Sequence, residues 1–275
     1  MIEASGLVAS RKQPDVLWVH NDSGNAATLY ALGRDGRDRG SYQLTGCACI
    51  DWEDIALGPG PASGVDYLYV ADSGTNNLAR DVITVYRVPE PQVVDRAQTS
   101  ELAGSVTLRF SYPGHRVHDA ETLFIDPRGG DLYLVTKSAA GDSGIYRAVA
   151  PLTEGKPHQL ELVTLLEWPD TGARGATRAT GGDISPDGGA IILKTYTQAL
   201  WFSRGKTESV ASAFARAPCA LRLADEPQGE AIGFSADGAG YYTVSEGTHQ
   251  PIYYFALQPP RIPAPAQPSR VLPSP

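Results

Sequence analysis

The chain has 275 residues, 42 % of them hydrophobic and 20 % charged, a balance that suits a globular protein with a sizeable core. Its formal net charge of −8 would repel phosphate backbones, which speaks against a nucleic-acid partner. No apolar run reaches the length of a membrane span. The 29 glycines and 21 prolines are spread along the chain, a pattern of short strands and tight turns.

In chain order, "IEASGLVAS" from Ile2 already reads as a strand. A chain that enters its first strand so early reads as a mature domain freed of a leader, so a secreted or periplasmic location is expected. "DVLWVHNDSG", "TLYALGRDG" and "GSYQLTG" follow as further strands. "WEDIALGPG" from Trp52 opens a second set, continued by "DYLYVADSG", "ITVYRVPEP" and "SVTLRFSYP". "AETLFIDPRG" from Ala120 opens a third, with "GDLYLVTKS", "SGIYRAVAP" and "LELVTLLEWP". "TGGDISPDG" from Thr180 opens a fourth, with "GAIILKTYTQ", "ALWFSRG" and "PCALRLA". "GEAIGFSADG" from Gly229 opens a fifth, with "GYYTVSEGTH" and "PIYYFALQP". "VASAFARA" (210–217) is the one short helix candidate, and a turn would also fit it.

Four of the openings share a Glu followed four positions later by Leu7, Leu57, Ile125 or Phe234. The fifth carries Thr180 in place of the Glu and matches at Ile184. Repeats of about 50–68 residues with four strands each are the sequence signature of a β-propeller. The expected fold is all-β: a five-bladed propeller over residues 1–258, its blades starting near 3, 53, 121, 180 and 230. A six-bladed ring is the alternative, if a long connection hides a blade. Residues 259–275 read as a Pro-rich tail. The last unit lacks a fourth strand unless "SRVL" near the end supplies it.

Up-and-down strands place the entry to strand 1 and the exit from strand 2 on the same face of a propeller. The expected axial funnel therefore gathers Glu3, Glu53, Asp54, Glu121 and Glu230, with Asp51, Asp119 and Asp183 nearby. From the second-strand exits it gathers Asp22, Asp72, Lys137, Lys194 and Glu246, with His20, His118 and His249 beside them. Clustered carboxylates cannot all ionise without compensation. A bound cation, hydrogen bonds with backbone amides and the two lysines, or protonation would each serve. The bland alternative is that the acids only lock the blades together. The Asp-Gly pairs of "SPDG" and "SADG" suit hairpin turns on the opposite face, and the strand tyrosines suit packing between blades.

Cys47, Cys49 and Cys219 match no zinc spacing. Cys47 and Cys49 fall in the loop entering the second blade and Cys219 leaves the fourth, so no disulfide joins Cys219 to either.

"WVHNDSG", "DWEDIALGPG", "YVADSGTNN", "DAETL", "GGDISPDG" and "QGEAIGFS" together resemble a family of exported bacterial β-propellers of mostly undefined function. More distantly, the Glu-starting inner strands are similar to the six-bladed senescence-marker/gluconolactonase propellers and to the propeller phytases. In the former, acidic and Asn side chains at the axis hold a divalent metal, commonly calcium, that activates lactone hydrolysis. The resemblance implies that Glu3 matches their opening ligand.

The leading expectation is a divalent-metal-assisted hydrolase of a small ester, lactone or phosphoester. Glu3, Glu53, Glu121 and Glu230 would hold the metal, with Asn21, Asn76 and carbonyls adding oxygens. Glu53, Asp54, Glu121 and His118 would be catalytic, and Asp22, Asp72, Lys137, Lys194 and Glu246 would bind substrate. Two alternatives stand beside it: a non-catalytic carbohydrate- or protein-binding propeller, and a metal-free glycosidase using paired carboxylates. The expected partner is a small-molecule or carbohydrate ligand, and the expected state a monomer.

Overall fold

The computed structural model describes residues 3–75, 80–94, 98–138 and 140–257. In chain order the first strands are β1 (Ala4–Ala9), β2 (Val16–Asn21), β3 (Thr28–Gly33), β4 (Asp38–Leu44), β5 (Trp52–Pro59), β6 (Asp66–Asp72), β7 (Val82–Pro89), β8 (Thr99–Leu102) and β9 (Val106–Ser111). Next come β10 (Asp119–Ile125), β11 (Leu132–Lys137), β12 (Asp142–Ala148), β13 (His158–Gln159), β14 (Glu161–Glu167), β15 (Ala179–Ile184), β16 (Ala190–Thr195) and β17 (Ala199–Ser203). One helical turn, α1 (Val210–Phe214), precedes β18 (Cys219–Leu221), β19 (Gly229–Phe234), β20 (Gly240–Ser245) and β21 (Ile252–Ala256). The only α-helix among the described residues is thus the segment read as helix or turn. Ser209 caps it by accepting a hydrogen bond from the Ser212 amide.

Five sheets, antiparallel apart from two added edge strands, form five blades of a propeller, as the repeat requires. The innermost strands β1, β5, β10, β15 and β19 touch in that order, and β19 returns to β1 to close the ring. The two inner strands of each blade are almost wholly buried on both faces, which explains their unbroken apolar runs. Outer strands such as β4 and β14 mix buried and exposed positions, because they pack on neighbours with only part of their surface.

Two connections depart from the simple repeat. The segment between β7 and β9 reaches back, and its β8 pairs in parallel with β4 on the edge of the first blade. The connection after β12 does the same through β13, which pairs in parallel with β9 of the second blade. The fifth blade has three strands among the described residues. The "SRVL" segment and the Pro-rich tail lie outside the described residues.

Each inner strand carries a β-bulge against the second strand. The bulges fall between Trp52 and Asp54, Ala120 and Thr122, Ala179 and Gly181, and Gly229 and Ala231. Glu53, Glu121, Thr180 and Glu230 are therefore equivalent, as their spacing implied. In the first blade Ala4 pairs with Asn21 and Leu7 with Val19, so the irregularity falls at Ser5–Gly6. Ser5, not Glu3, occupies the repeat position, and Ala9, not Leu7, is the counterpart of Leu57. The register confirms this, since Ala9 faces Leu17 as Leu57 faces Leu68. The side chains agree: the Ser5 hydroxyl donates to the carbonyl of Glu53 at 2.6 Å, and the Thr180 hydroxyl to that of Glu230 at 2.9 Å. Each bulge-position hydroxyl thus ties its blade to the next bulge.

Candidate functional site

A bulge re-aims a side chain that regular alternation would send elsewhere. Here the bulges bring Glu53, Glu121 and Glu230 to a cavity of about 170 Å³ at the axis, and Glu3 joins them from just ahead of β1. The second-strand exits contribute Asp22, Lys137, Tyr196 and Glu246 to its wall. The volume lies well below the roughly 300–1,000 Å³ of sites for drug-sized ligands, so an ion or a small polar group fits best.

Glu53 is the centre of the cluster. It is 3 % exposed, and its Oε1 is buried without a hydrogen-bond partner. One of its oxygens lies within 4.8 Å of carboxylate oxygens of Asp22 and Asp51, and likewise of Asp119 and Glu121. Burial, then the charges of Glu121, Asp22, Asp51 and Asp119, raise its pKa well above the ordinary range. The backbone makes room for this crowding at Gly74, where a Cβ would collide with Glu53 Oε1 and Asp51 Oδ2.

The surrounding groups show the same pressure. Burial lifts Glu121 to about 8, although Lys137 Nζ at 3.0 Å opposes the shift. Glu230 is also lifted to about 8 by burial; Gln228 Nε2 donates to its Oε1 at 3.3 Å, while Oε2 is buried without a partner. Asp22 rises to about 6, chiefly through burial, with Asp51, Glu246 and Glu3 adding repulsion. Burial and Glu3 raise Glu246. Glu3 accepts from Asn25 Nδ2 at 2.7 Å. Burial alone would lower Lys137, but Glu121 and Tyr196 outweigh it and hold the ammonium charged. Its Nζ also donates to Tyr196 Oη at 3.0 Å.

Other residues expected at the funnel lie elsewhere. Asp54, one position after Glu53, is buried in the seam between β5 and β10 and accepts from the amides of Ile55 and Leu123 at 2.8 Å each. Asp183 does the same between β15 and β19, with the amides of Ile184 and Phe234. Asp72 is tied to Arg80 at 2.7 Å and to the amides of Ile50 and Asp51, so it braces the loop entering β5. Lys194 is fully buried and pairs with Glu226 at 3.4 Å outside the cavity wall. His118 packs against Tyr112 and Tyr146, with its Nε2 3.2 Å from Tyr146 Oη. His20 is buried, its Nδ1 2.9 Å from the Asn21 carbonyl, and burial lowers it to about 4. His249 borders a different pocket beside β20. Asp119, by contrast, stays with Glu53 and Glu121 as expected, and also accepts from the Thr75 amide at 2.9 Å. Asn21 accepts from the Glu3 amide at 3.3 Å. Asn76 lies outside the described residues. Cys47, Cys49 and Cys219 are free thiols.

Tyr196 and Gln228 are wall residues that attention to charge alone passed over. Tyr196 sits in "KTYTQ", a second-strand exit already placed at the funnel, and that position was the available signal.

A scan against protein-family models finds no match, and a search of curated proteins finds none. Among solved structures, the periplasmic gluconolactonase of Pseudomonas aeruginosa is similar at 14 % identity, over 93 % of this chain and 82 % of that one, with TM-score 0.48. A chain of the hydrazine synthase of Kuenenia stuttgartiensis is similar at 11 % identity, over 94 % of this chain and 96 % of that one, with TM-score 0.46. A chain of a nidogen/laminin complex is similar at 12 % identity, over 88 % and 72 %, with TM-score 0.48. Proteins so different in their stated roles leave function to be argued from the site itself. Among the described residues no helix is long and apolar enough to cross a membrane.

Proposed function

We propose that the axial cavity holds a divalent cation and is the active site for hydrolysis of a small ester, lactone or phosphoester. The observation that carries this reading is Glu53: a buried carboxylate with an unpartnered oxygen, shared by two carboxylate triads. A carboxylate buried in this way is costly unless it is protonated or meets a cation. The donors are all oxygens, which suits a hard ion and favours calcium over zinc. Glu53 would hold it together with Asp22 and Asp51, or with Asp119 and Glu121. When bound, such an ion polarises a substrate oxygen and makes water a better nucleophile.

The protein's own groups would complete the chemistry. Lys137 stays charged and offers donors to a developing negative oxygen. Tyr196 Oη accepts from Lys137, so its own O–H is free to point elsewhere and donate. Glu230, which burial lifts to about 8 and which belongs to neither triad, can carry a proton toward a leaving group on its unpartnered Oε2.

A second reading, a cation-binding propeller without catalysis, is favoured by the small cavity.

The test is thermal unfolding with chelator and with calcium, followed by a hydrolysis panel of lactones, aryl esters and phosphoesters. At a hundredfold excess over Kd, calcium should stabilise by about 2.7 kcal/mol, or roughly 5 °C or more in Tm. Glu53→Gln with Glu121→Gln should abolish that shift. Lys137→Met should keep the shift and lose turnover. Melting indifferent to chelator and calcium alike would refute the metal reading. A calcium shift without turnover on any ester class would leave the second reading.

A further inference from the structure

The opposite face of the propeller carries a second cavity, built between the second and third blades and distinct from the axial site. Its volume is about 700 Å³. Much of its wall is apolar: Pro59, Pro61, Val106, Pro151 and Leu152 contribute to it. Into this wall the third strand of the second blade, β7, places Arg87, a residue only 7 % exposed.

Arg87 is held but not neutralised. Its Nη1 donates to the Leu152 carbonyl at 2.9 Å, and its guanidinium carbon lies 5.8 Å from the centre of the Tyr67 ring. Its Nε is buried with no acceptor. Among the described residues no carboxylate comes within ion-pairing distance of it. The contrast with its neighbours is sharp, since Arg147 and Arg204 pair with Asp131 and Asp126. A buried guanidinium without a counter-charge is costly, and a planar fork is suited to a carboxylate. The bland role, a clamp that fixes the 150–154 loop through the Leu152 carbonyl with a further bond to the Tyr69 hydroxyl, leaves Nε without an acceptor and the charge unexplained.

We propose that this cavity binds a small organic carboxylate, its carboxylate group on Arg87 and its apolar body against Val106, Leu152 and the prolines. Arg128 and Glu154 also border the cavity, so with Arg87 its lining carries one net positive charge, which a monoanion matches and a phosphate dianion would overcompensate. The site shares no residue with the axial cavity, so it stands or falls separately from the proposed hydrolase.

The probe is benzoate, with benzamide as its neutral isostere and inorganic phosphate as the alternative anion. Binding to the full chain is measured by calorimetry and by ligand-observed NMR. Benzoate should bind at least about tenfold more tightly than benzamide or phosphate, the factor expected of a charge-assisted hydrogen bond. Arg87→Leu should remove that preference, and Glu53→Gln should leave it intact. Should Arg87→Leu fail to fold, Gly129→Trp serves instead. Gly129 borders the cavity, and a Cβ there meets nothing within 4 Å, so the indole can block the mouth without disturbing the core. Benzoate binding should then be lost while melting is unchanged. Equal binding of benzoate and benzamide, tighter binding of phosphate, or no benzoate binding at 10-mM concentrations (roughly the weakest useful affinity) would each overturn the proposal and leave Arg87 as the loop clamp.

Discussion

Glu53 and Asp54 are adjacent acids with opposite surroundings, and one extra residue in a strand separates them. The bulge at Glu53 sends its carboxylate into the axial cavity, where one oxygen has no partner. Asp54 is left in the blade seam, where both oxygens accept backbone amides. The two should therefore respond differently to isosteric change. Asp54→Asn turns an acceptor into an NH₂ facing one of those amides, and an unsatisfied buried donor costs about 1–3 kcal/mol. Urea unfolding of Asp54→Asn should show that loss with calcium stabilisation preserved. If Asp54→Asn is neutral in stability and abolishes the calcium shift, Asp54 belongs to the cation site and not to the seam.

At the scale of the strand, the ring is held by contacts between consecutive inner strands. Three seams carry a hydroxyl that donates to a carbonyl of the next blade: Ser5 to Glu53, Ser73 to Ala120 and Thr180 to Glu230. Close approach of strands also demands residues without a Cβ. At Gly6 a Cβ would lie 2.7 Å from the Ile55 amide nitrogen, and at Gly233 2.5 Å from the Leu7 carbonyl oxygen. Five inner strands around one axis leave little space, and "ASGL" and "AIGF" are glycine-bearing for that reason. Ser5→Ala and Thr180→Val each remove one seam bond and should each lower unfolding free energy by about 1 kcal/mol. The two seams share no partner, so the double variant should be additive within about 0.5 kcal/mol. A double variant much less stable than the sum would mean that the ring transmits strain from seam to seam.

Across the whole molecule, the concentration of buried acids at the axis makes stability depend on pH. Glu121 and Glu230 sit at about 8 in the fold against 4.5 as free groups, and Asp22 at about 6 against 3.8. The folded state therefore holds more protons than the unfolded chain, and stability falls as pH rises from the unfolded toward the folded values. His20 acts in the opposite sense: lowered from 6.5 to about 4, it removes stability only as pH falls below 6.5. Between about pH 6.5 and 8.5 the carboxyls decide the sign. The Tm of the chelated protein should fall across that window, and saturating calcium should flatten the fall by favouring the ionised ring. A chelated Tm that rises through the window would show that the acids are already compensated inside the fold.

The repeat was legible because it is local. Each blade writes its own turn and apolar run into consecutive residues, and three of the five add an acid at the bulge, so spacing alone yields the five blades and places Glu53, Glu121 and Glu230 in equivalent positions. Up-and-down geometry then assigns the second-strand exits to the same face, which places Asp22, Lys137 and Glu246. Only tertiary structure could decide what depends on pairing between segments distant in sequence. The bulge register moved the first repeat position from Glu3 to Ser5, because a bulge is defined by the partner strand and not by the strand that contains it. The parallel additions of β8 and β13 to neighbouring blades were hidden in connections whose short strands carry little periodicity. The fates of Asp54, Asp72 and Lys194 were also undetermined by spacing. Whether a buried charge faces a cavity, a backbone amide or an opposite charge depends on what the fold brings beside it: Leu123, Arg80 and Glu226 lie far enough along the chain that no local pattern marks them as partners.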